Sequence, residues 1–145
     1  MRRDGQETRA RILQAALDVF AECGYREATV GEICGRAGAN VASVNYYFGG
    51  KQALYDEVWR EAVRVADGLY PFDEGVPAEA EASIRLAAYI RSLLRRMTDR
   101  GKLGNLHRLI MKEQSHATGV LPRVFQETRR PFVRQLSSAV AELLG

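Results

Sequence analysis

Cysteine and proline are scarce in this chain of 145 residues, which contains two cysteines and four prolines. A small secreted scaffold held together by disulfides carries more cysteines, so that class is excluded. The chain also lacks an apolar run of about 18 residues and a charged-then-apolar leader. We therefore expect a helical protein of the cytoplasm, without a membrane partner, in which Cys23 and Cys34 stay reduced and pack as small apolar residues.

Motifs for catalysis are also missing. The sequence contains no glycine-rich phosphate loop, no nucleophile elbow and no HExxH motif. Helical spacing would put Glu113 and His116 on one face, with His107 nearby, but no further ligand for a metal has a suitable spacing. We therefore predict that the protein is not an enzyme and that it needs neither a metal nor another cofactor.

Apolar residues recur at helical spacing along most of the chain, and no alternating strand pattern is present. Thr29 and Glu32 have the spacing of a capping box, and Asn40 can cap the helix that follows it. The prediction is an all-α protein with about seven helices. They cover 7–22 with a stop at Gly24, a short stretch after Thr29, Val41 to Phe48, a stretch from Lys51, 78–99, 105–116, and 120–144 with a kink at Pro131.

In the helix predicted at 78–99, one apolar face is expected to point inward. Its residues are Ile84, Ala87, Ala88, Ile90, Leu93, Leu94 and Met97.

The second and third predicted helices have the features of a helix-turn-helix. Gly38, Ala39 and Asn40 supply a tight turn between them. Val44 and Phe48, four residues apart, would form the buried side of the third helix. Small and polar residues remain for the outer side, as entry into the major groove of DNA requires.

Residues 8–59 resemble the N-terminal domain of the TetR/AcrR family of transcriptional regulators. The resemblance is carried by TRARILQAALDVFAECGYREATVGEICGRAG and ANVASVNYYFGGKQALYDEVW, which hold the family's glycine, threonine, aromatic and lysine positions in order. The wording NVASVNYYF, and more weakly LHRLIMKEQ at 106–114, is similar to the CecR-like branch.

The resemblance implies a set of DNA contacts. A threonine at the cap of the second helix, a tyrosine pair and a lysine are expected on phosphates, and the turn and third helix on bases or backbone. The positions carried over are Thr29, Asn40, Val41, Ala42, Ser43, Asn45, Tyr46, Tyr47 and Lys51. Val41 stands where the family commonly has lysine, and Asn45 where it commonly has tyrosine.

The resemblance further implies two domains: a DNA-binding domain over 1–68 and a helical body over 69–145 that senses a ligand and dimerises. A repressor of this type binds a near-palindromic operator as a homodimer and is released by a small-molecule effector. Candidates to line the effector pocket are Tyr89, Met97, Leu106, Ile110, Met111 and Phe125, with core packing as the alternative for the two methionines and Phe125. Family members usually have two more helices for the dimer interface, so we expect an incomplete body and weak self-association.

The charge distribution keeps an alternative open. The net charge is +3, but residues 1–60 contain eight basic and eight acidic side chains. A helical interaction module without DNA binding, or a helical enzyme, therefore remains the competing interpretation.

Overall fold

The computed structural model describes residues 2–145, which form seven α-helices and, within that range, no strand. The helices are α1 (Arg3–Glu27), α2 (Val30–Ala37), α3 (Val41–Phe48), α4 (Lys51–Leu69), α5 (Ala82–Thr98), α6 (Gly104–Ser115) and α7 (Val120–Leu144). The all-α prediction is confirmed. One core joins α1–α4 with α6 and α7, whereas α5 packs mainly on α7.

Helix α1 is longer than predicted at both ends, and its apolar stripe is buried. Ile12, Ala16, Val19 and Phe20 are all inaccessible to solvent. The backbone leaves helical geometry at Gly24 (φ 80°, ψ 174°) and then resumes a helical turn that ends at Glu27. The glycine therefore breaks the helix as expected, and the chain beyond it adds one more turn.

The cap of α2 forms only half of the predicted capping box. Thr29 Oγ1 accepts the backbone N–H of Glu32 at 3.1 Å. The Glu32 carboxylate instead accepts from Arg36 at 3.0 Å, and Arg36 also binds both carboxylate oxygens of Glu22 on α1. A guanidinium is a stronger donor to a carboxylate than a neutral backbone N–H, so Glu32 turns towards Arg36.

The turn between α2 and α3 depends on Gly38. Its backbone is left-handed (φ 63°, ψ 39°), and the N–H of Ala39 donates to the carbonyl of Cys34 at 3.0 Å. This is the Schellman arrangement, in which glycine is favoured because it has no Cβ. Gly35, in contrast, lies within α2 and does not interrupt it.

Helix α4 runs from the head formed by α1–α3 into the rest of the molecule. Leu54, Tyr55, Val58 and Trp59 are buried. The Tyr55 hydroxyl donates to the buried Glu113 carboxylate of α6 at 2.7 Å. Burial raises the pKa of Tyr55, so its hydroxyl stays a proton donor at neutral pH.

The prediction of an inward apolar face on α5 is wrong. Ala88 is buried and Ala87 is half-buried. The other members of that face are exposed: Ile84, Ile90, Leu93, Leu94 and Met97, the last by 64%. The buried side of α5 instead carries Ala88, Ser92 and Arg96, because α7 and the segment after α4 lie on that side. Periodicity locates an apolar face, but only a neighbour can cover it.

A buried charge cluster joins α4, α5 and α7. Arg96 and Arg129 each donate to the same oxygen of Asp67 at 2.7 Å. Both guanidinium groups lie against the ring of Phe72, at 3.8 and 4.8 Å from its centroid. Arg96 also donates to the carbonyl of Tyr70. The cluster therefore pins the last turn of α4 to the two helices that follow, and it contains one more cation than anions.

Helix α7 has the predicted bounds and continues through Pro131. Its apolar residues are only partly covered. Val124 and Ala139 are buried, and the exposed ones are Phe125, Val133, Val140, Leu143 and Leu144. Like the exposed apolar residues of α5, they are open to solvent in this chain.

The turn can be tested with two glycine substitutions in α2 and its cap. Gly38→Ala should lower the free energy of unfolding by about 1 kcal/mol, because alanine is strained at this left-handed backbone. Gly35→Ala should raise it by about 0.5–1 kcal/mol, because alanine is favoured inside a helix. Neither added Cβ would meet another atom within 4 Å, so the two changes differ only in the backbone. Urea denaturation measures both, and a change of the same sign would contradict the assigned turn.

Candidate nucleic-acid interface

Helix α3 is held by one buried side chain and exposes most of the rest. Val44 is 1% exposed and packs in the common core, with Phe48 half-buried beside it. Val41, Ala42, Asn45 and Tyr46 are exposed. These four lie at i, i+1, i+4 and i+5, so they share one face of the helix. The face is small and uncharged at its start and polar further along.

The structure moves one candidate away from the centre of this face. Ser43 was expected outside together with Asn45, but it is half-buried. Val41 is 51% exposed and takes the outer position instead. The reason is geometric: Ser43 and Asn45 lie on opposite flanks of Val44, and Val41 and Ala42 lie on the flank of Asn45. The exposed face is therefore displaced towards Asn45, and Ser43 is left at the other edge.

Two of the candidates are helix caps. Asn40 Oδ1 accepts the N–H of Ala42 at 2.9 Å. The NH₂ group of Asn40 is not used in this cap and can donate to another molecule. The Thr29 hydroxyl accepts from Glu32, as described above, and its own proton remains able to donate. Both caps therefore present donors at the ends of the two helices, where backbone N–H groups also favour an anion.

The remaining candidates follow at the end of α3. Tyr46 is 78% exposed, and its ring lies edge-on to that of Tyr47 at 4.9 Å. Lys51 opens α4 with its ammonium 4.4 Å from the centroid of the Tyr25 ring, which comes directly after the break at Gly24. Tyr46 thus ends the exposed face of α3, Tyr47 is half-buried against the core, and Lys51 follows at the start of α4. Groups that bind phosphates are expected beside a base-reading face in this way.

Two contacts that hold the turn were not foreseen from the sequence. Arg11 Nε of α1 donates to the carbonyl of Ala37 at 3.1 Å, and the Cys34 thiol lies 3.5 Å from the carbonyl of Asn40. Both satisfy carbonyls around the α2–α3 connection, which lie outside regular helical bonding. Nothing in the local pattern identifies them, because each depends on elements brought together by the fold.

Several basic side chains of the head are neutralised by acidic partners. Arg36 binds Glu22 and Glu32, and Arg9 lies 3.7 Å from Glu57 with its guanidinium over the Phe48 ring. These pairs are partly exposed and contribute little to stability. They do reduce the positive potential available to a nucleic acid, in line with the balanced charge of residues 1–60.

The structure does not bring the six candidate pocket residues together. Tyr89 lines a cavity of about 110 Å³ between α5 and α7. Leu106 and Ile110 pack against the common core, whereas Met97, Met111 and Phe125 are exposed. Core packing, the alternative for these last three, is therefore also wrong.

Two of the three residues considered for a metal have other partners. Glu113 accepts hydrogen bonds from Tyr55 and from both the hydroxyl and the N–H of Thr118. His107 Nε2 lies 2.8 Å from the carbonyl of Arg96. Across residues 2–145, no three His, Cys, Asp or Glu side chains are grouped as metal ligands are.

Known protein families match both halves of this chain. The model for bacterial regulatory proteins of the tetR family matches residues 12–58, and the model for the C-terminal domain of the HTH-type transcriptional dual regulator CecR matches residues 82–145. The chain belongs to the TetR family. CecR of Shigella flexneri is 28% identical over 97% of the chain, and the chain spans 66% of that relative. SrpR of Pseudomonas putida is 42% identical, over 56% of the chain and 38% of its own length.

Solved structures share the TetR fold. A linker mutant of HlyIIR superposes with a TM-score of 0.64 at 25% identity, over 94% of this chain and 71% of that one. The fatty acid degradation regulator FadR of Bacillus halodurans gives a TM-score of 0.64 at 19% identity, over 93% and 67%. The resemblance stated from the N-terminal motif, including the CecR-like branch, is confirmed. The matched family consists of transcriptional regulators and not of enzymes, which agrees with the missing catalytic motifs.

Within residues 2–145, every helix is too short or too polar to cross a bilayer.

The exposed face of α3 predicts that some residues set the base preference and that others bind phosphates. Asn45→Ala should cost about 1–3 kcal/mol on the preferred site and relax the base preference, because asparagine can bind a base edge. Lys51→Gln should weaken binding to all sequences alike and lower the salt slope by about one per head. Fluorescence anisotropy on preferred and scrambled duplexes, over a range of salt, measures both. Gln52→Ala, whose side chain binds Asp56 within α4, is the control and should bind normally. Unchanged affinity and preference in Asn45→Ala would contradict the orientation assigned to α3.

The environment of the thiols predicts low reactivity. Cys34 is buried, Cys23 is partly buried with its sulfur 3.1 Å from the carbonyl of Val19, and both are free. Burial raises the pKa of both thiols, so the reactive thiolate is scarcer at neutral pH than in an exposed cysteine. Alkylation by iodoacetamide should therefore be slower in the folded chain than in urea.

Changing both Cys23 and Cys34 to serine should leave DNA affinity intact, with some loss of stability. Oxidant-dependent DNA release that disappears in the double variant would refute this and indicate a redox sensor.

Proposed function

We propose that this protein is a sequence-specific DNA-binding transcriptional regulator whose helix α3 enters the major groove. The observation that carries the proposal is the arrangement of α3, anchored by the buried Val44 with small and polar residues on the opposite side. Side chains of that kind can approach base edges closely. The left-handed turn at Gly38 connects α2 to α3 within three residues, as a helix-turn-helix unit requires.

The proposal assigns a role to each candidate of the interface. The residues for bases or nearby backbone are Asn40, Val41, Ala42, Ser43 and Asn45, with Ser43 at the flank. The residues for phosphates are Thr29, Tyr46, Tyr47 and Lys51. Their arrangement around the exposed face supports this division, since phosphate contacts set the position of a head and base contacts set its sequence preference.

A homodimer on a near-palindromic operator is the second part of the proposal. One head reads few bases, and two heads that bind successive major grooves must lie about 34–36 Å apart. The exposed apolar side chains of α5 and α7 support self-association, because apolar side chains in contact with water are stabilised when another surface covers them.

The third part concerns control. We infer a DNA-binding domain over 1–68 and a regulatory body over 69–145, in a repressor that a small-molecule effector releases from DNA in the cytoplasm. Such an effector must bind the released geometry more tightly than the DNA-bound one. Helix α4 supports this coupling, because Lys51 at its start adjoins α3 and Asp67 at its end lies in the buried charge cluster.

A competing function is a helical interaction module that keeps the fold without reading DNA. The pairing of Arg9 and Arg36 with acidic side chains favours it, because a neutralised head attracts DNA weakly. Failure to bind any duplex at low salt would establish this alternative.

Genomic footprinting together with sedimentation tests the proposal. We expect protection of a near-palindromic site, self-association that grows with protein concentration, and an affinity that falls steeply with salt. Introducing a charge into the exposed face of α5 by Leu94→Glu should weaken both self-association and footprinting, whereas Arg64→Glu, at an exposed position on α4, should leave self-association unchanged. A strictly monomeric chain that protects only single half-sites would refute the dimeric part.

A further inference from the structure

The cavity between α5 and α7 has the features of a ligand site. Three aromatic rings meet at it: Phe72 stacks on Tyr89 with centroids 5.0 Å apart, and Phe132 lies at the same distance from Phe72. Apolar side chains complete much of the wall, namely Val76, Leu86, Leu136 and Ala139. Asp73, Ala78 and Gln135 are exposed lining residues, which leaves one side open to solvent.

The size of the cavity limits what it can hold. Its volume is about 110 Å³. A closed apolar cavity of about 150 Å³ holds benzene, so this partly open one suits a single ring with a substituent at the mouth. A long acyl chain or a fused ring system would not fit without rearrangement of α5 or α7.

The polar part of the wall indicates the charge of that substituent. Arg85 lines the cavity, its side chain is 15% exposed, and it donates to the carbonyl of Ala80 and to Glu142 Oε2 at 2.6 Å. The Glu142 side chain is 54% exposed in the last turns of α7. Arg85 is therefore the mostly buried partner of this ion pair, and the Glu142 carboxylate is the partner that can move into solvent. A buried guanidinium without a partner is costly, so an arriving carboxylate is favoured as a replacement.

The charge cluster behind the rings is also positive overall, like Arg85. Arg96 and Arg129 lie against Phe72 and share the single carboxylate of Asp67. The surplus cation raises the potential at the cavity wall, where the dielectric constant is low and charges interact strongly. Independently of this cluster, the hydrogen bond from Arg85 lowers the pKa of Glu142.

We propose that this cavity binds a small aromatic carboxylate, with its ring against Phe72, Tyr89 and Phe132 and its carboxylate on Arg85 in place of Glu142. This names the effector class of the proposed regulator, and in its regulatory aspect it rests on that proposed function. A ring that enters here contacts Phe72, which touches both arginines that hold Asp67 at the end of α4. The ligand thus acts on the helix that begins beside α3.

Calorimetric titration of the whole chain with benzoate, benzamide and benzylamine tests the ligand class without DNA. Benzoate should bind, and benzamide should bind about ten-fold more weakly, because a charge-assisted pair with a guanidinium is stronger than a neutral hydrogen bond. Benzylamine should give no saturable binding. Equal affinity for benzoate and benzamide, preference for benzylamine, or no binding of benzoate would each overturn the proposal.

Two variants locate the site. Glu142→Gln should tighten benzoate binding several-fold, because it removes the competing carboxylate from Arg85. Arg85→Met should abolish the preference for benzoate over benzamide, with circular dichroism as the check on folding. The matched controls are Glu61→Gln and Arg64→Met, which alter an exposed ion pair on α4 and should leave benzoate affinity unchanged. An unchanged benzoate affinity in Glu142→Gln would overturn the proposal even if Arg85→Met failed to fold.

DNA binding gives the separate regulatory readout. Saturating benzoate should lower the affinity for the footprinted site, and this response should be lost in Arg85→Met. Titration in the absence of DNA remains informative if the chain binds no duplex, so failure of the proposed function and failure of the ligand site are distinguishable. Benzoate binding with no effect on DNA affinity would refute the assignment as an effector site.

Discussion

Helix α4 carries the largest buried side chains of the molecule, and both halves of the chain pack on them. Tyr55 and Trp59 are almost completely buried, with Phe20 of α1 in edge contact with Tyr55 at 4.8 Å. The same tyrosine binds Glu113 of α6 through its hydroxyl. Removal of such an aromatic side chain from a core costs about 3–5 kcal/mol, so the position of α3 depends on contacts that also define the start of the body.

This shared core explains how a head with short helices is held. Helices of eight residues are marginal alone, and α2 and α3 depend on packing through Ile33, Cys34 and Val44. The caps and the turn then set their relative direction. Because α3 gives only Val44 to the fully buried core, most of its surface stays available for another molecule.

Electrostatics is arranged differently in the two halves. In the head, basic side chains are paired with acidic ones at the surface, where solvent screens them. In the body, Arg96 and Arg129 are buried around one carboxylate and one aromatic ring. A buried cluster of this kind is sensitive to changes beside it, since the loss of one partner leaves a charge without compensation. Its place between the cavity and α4 is where the proposed ligand would act on the helix that leads to the head.

Much of the fold was determined by local signals in the sequence. Thr29, Gly38 and Asn40 act within a few residues of their own position, so their roles as caps and turn could be predicted, and the stripe of α1 and the bounds of α7 followed from spacing alone. The family pattern added the order of the aromatic residues and Lys51. For the same reason, the exposed face of α3 was largely foreseeable once Val44 was placed inside.

The tertiary structure alone decided which surfaces are covered and which charges meet. Ile84, Leu94 and Met97 have the spacing of a core face, yet α7 covers the other side of α5, where Arg96 is buried. Arg129 is far along the chain from Asp67 and Phe72, and no local pattern links it to them. Spacing along one helix determines which residues share a face. Burial depends on a neighbour whose position is set by the sum of all the packing contacts, and that is why the cavity and its charge cluster emerge only from the folded chain.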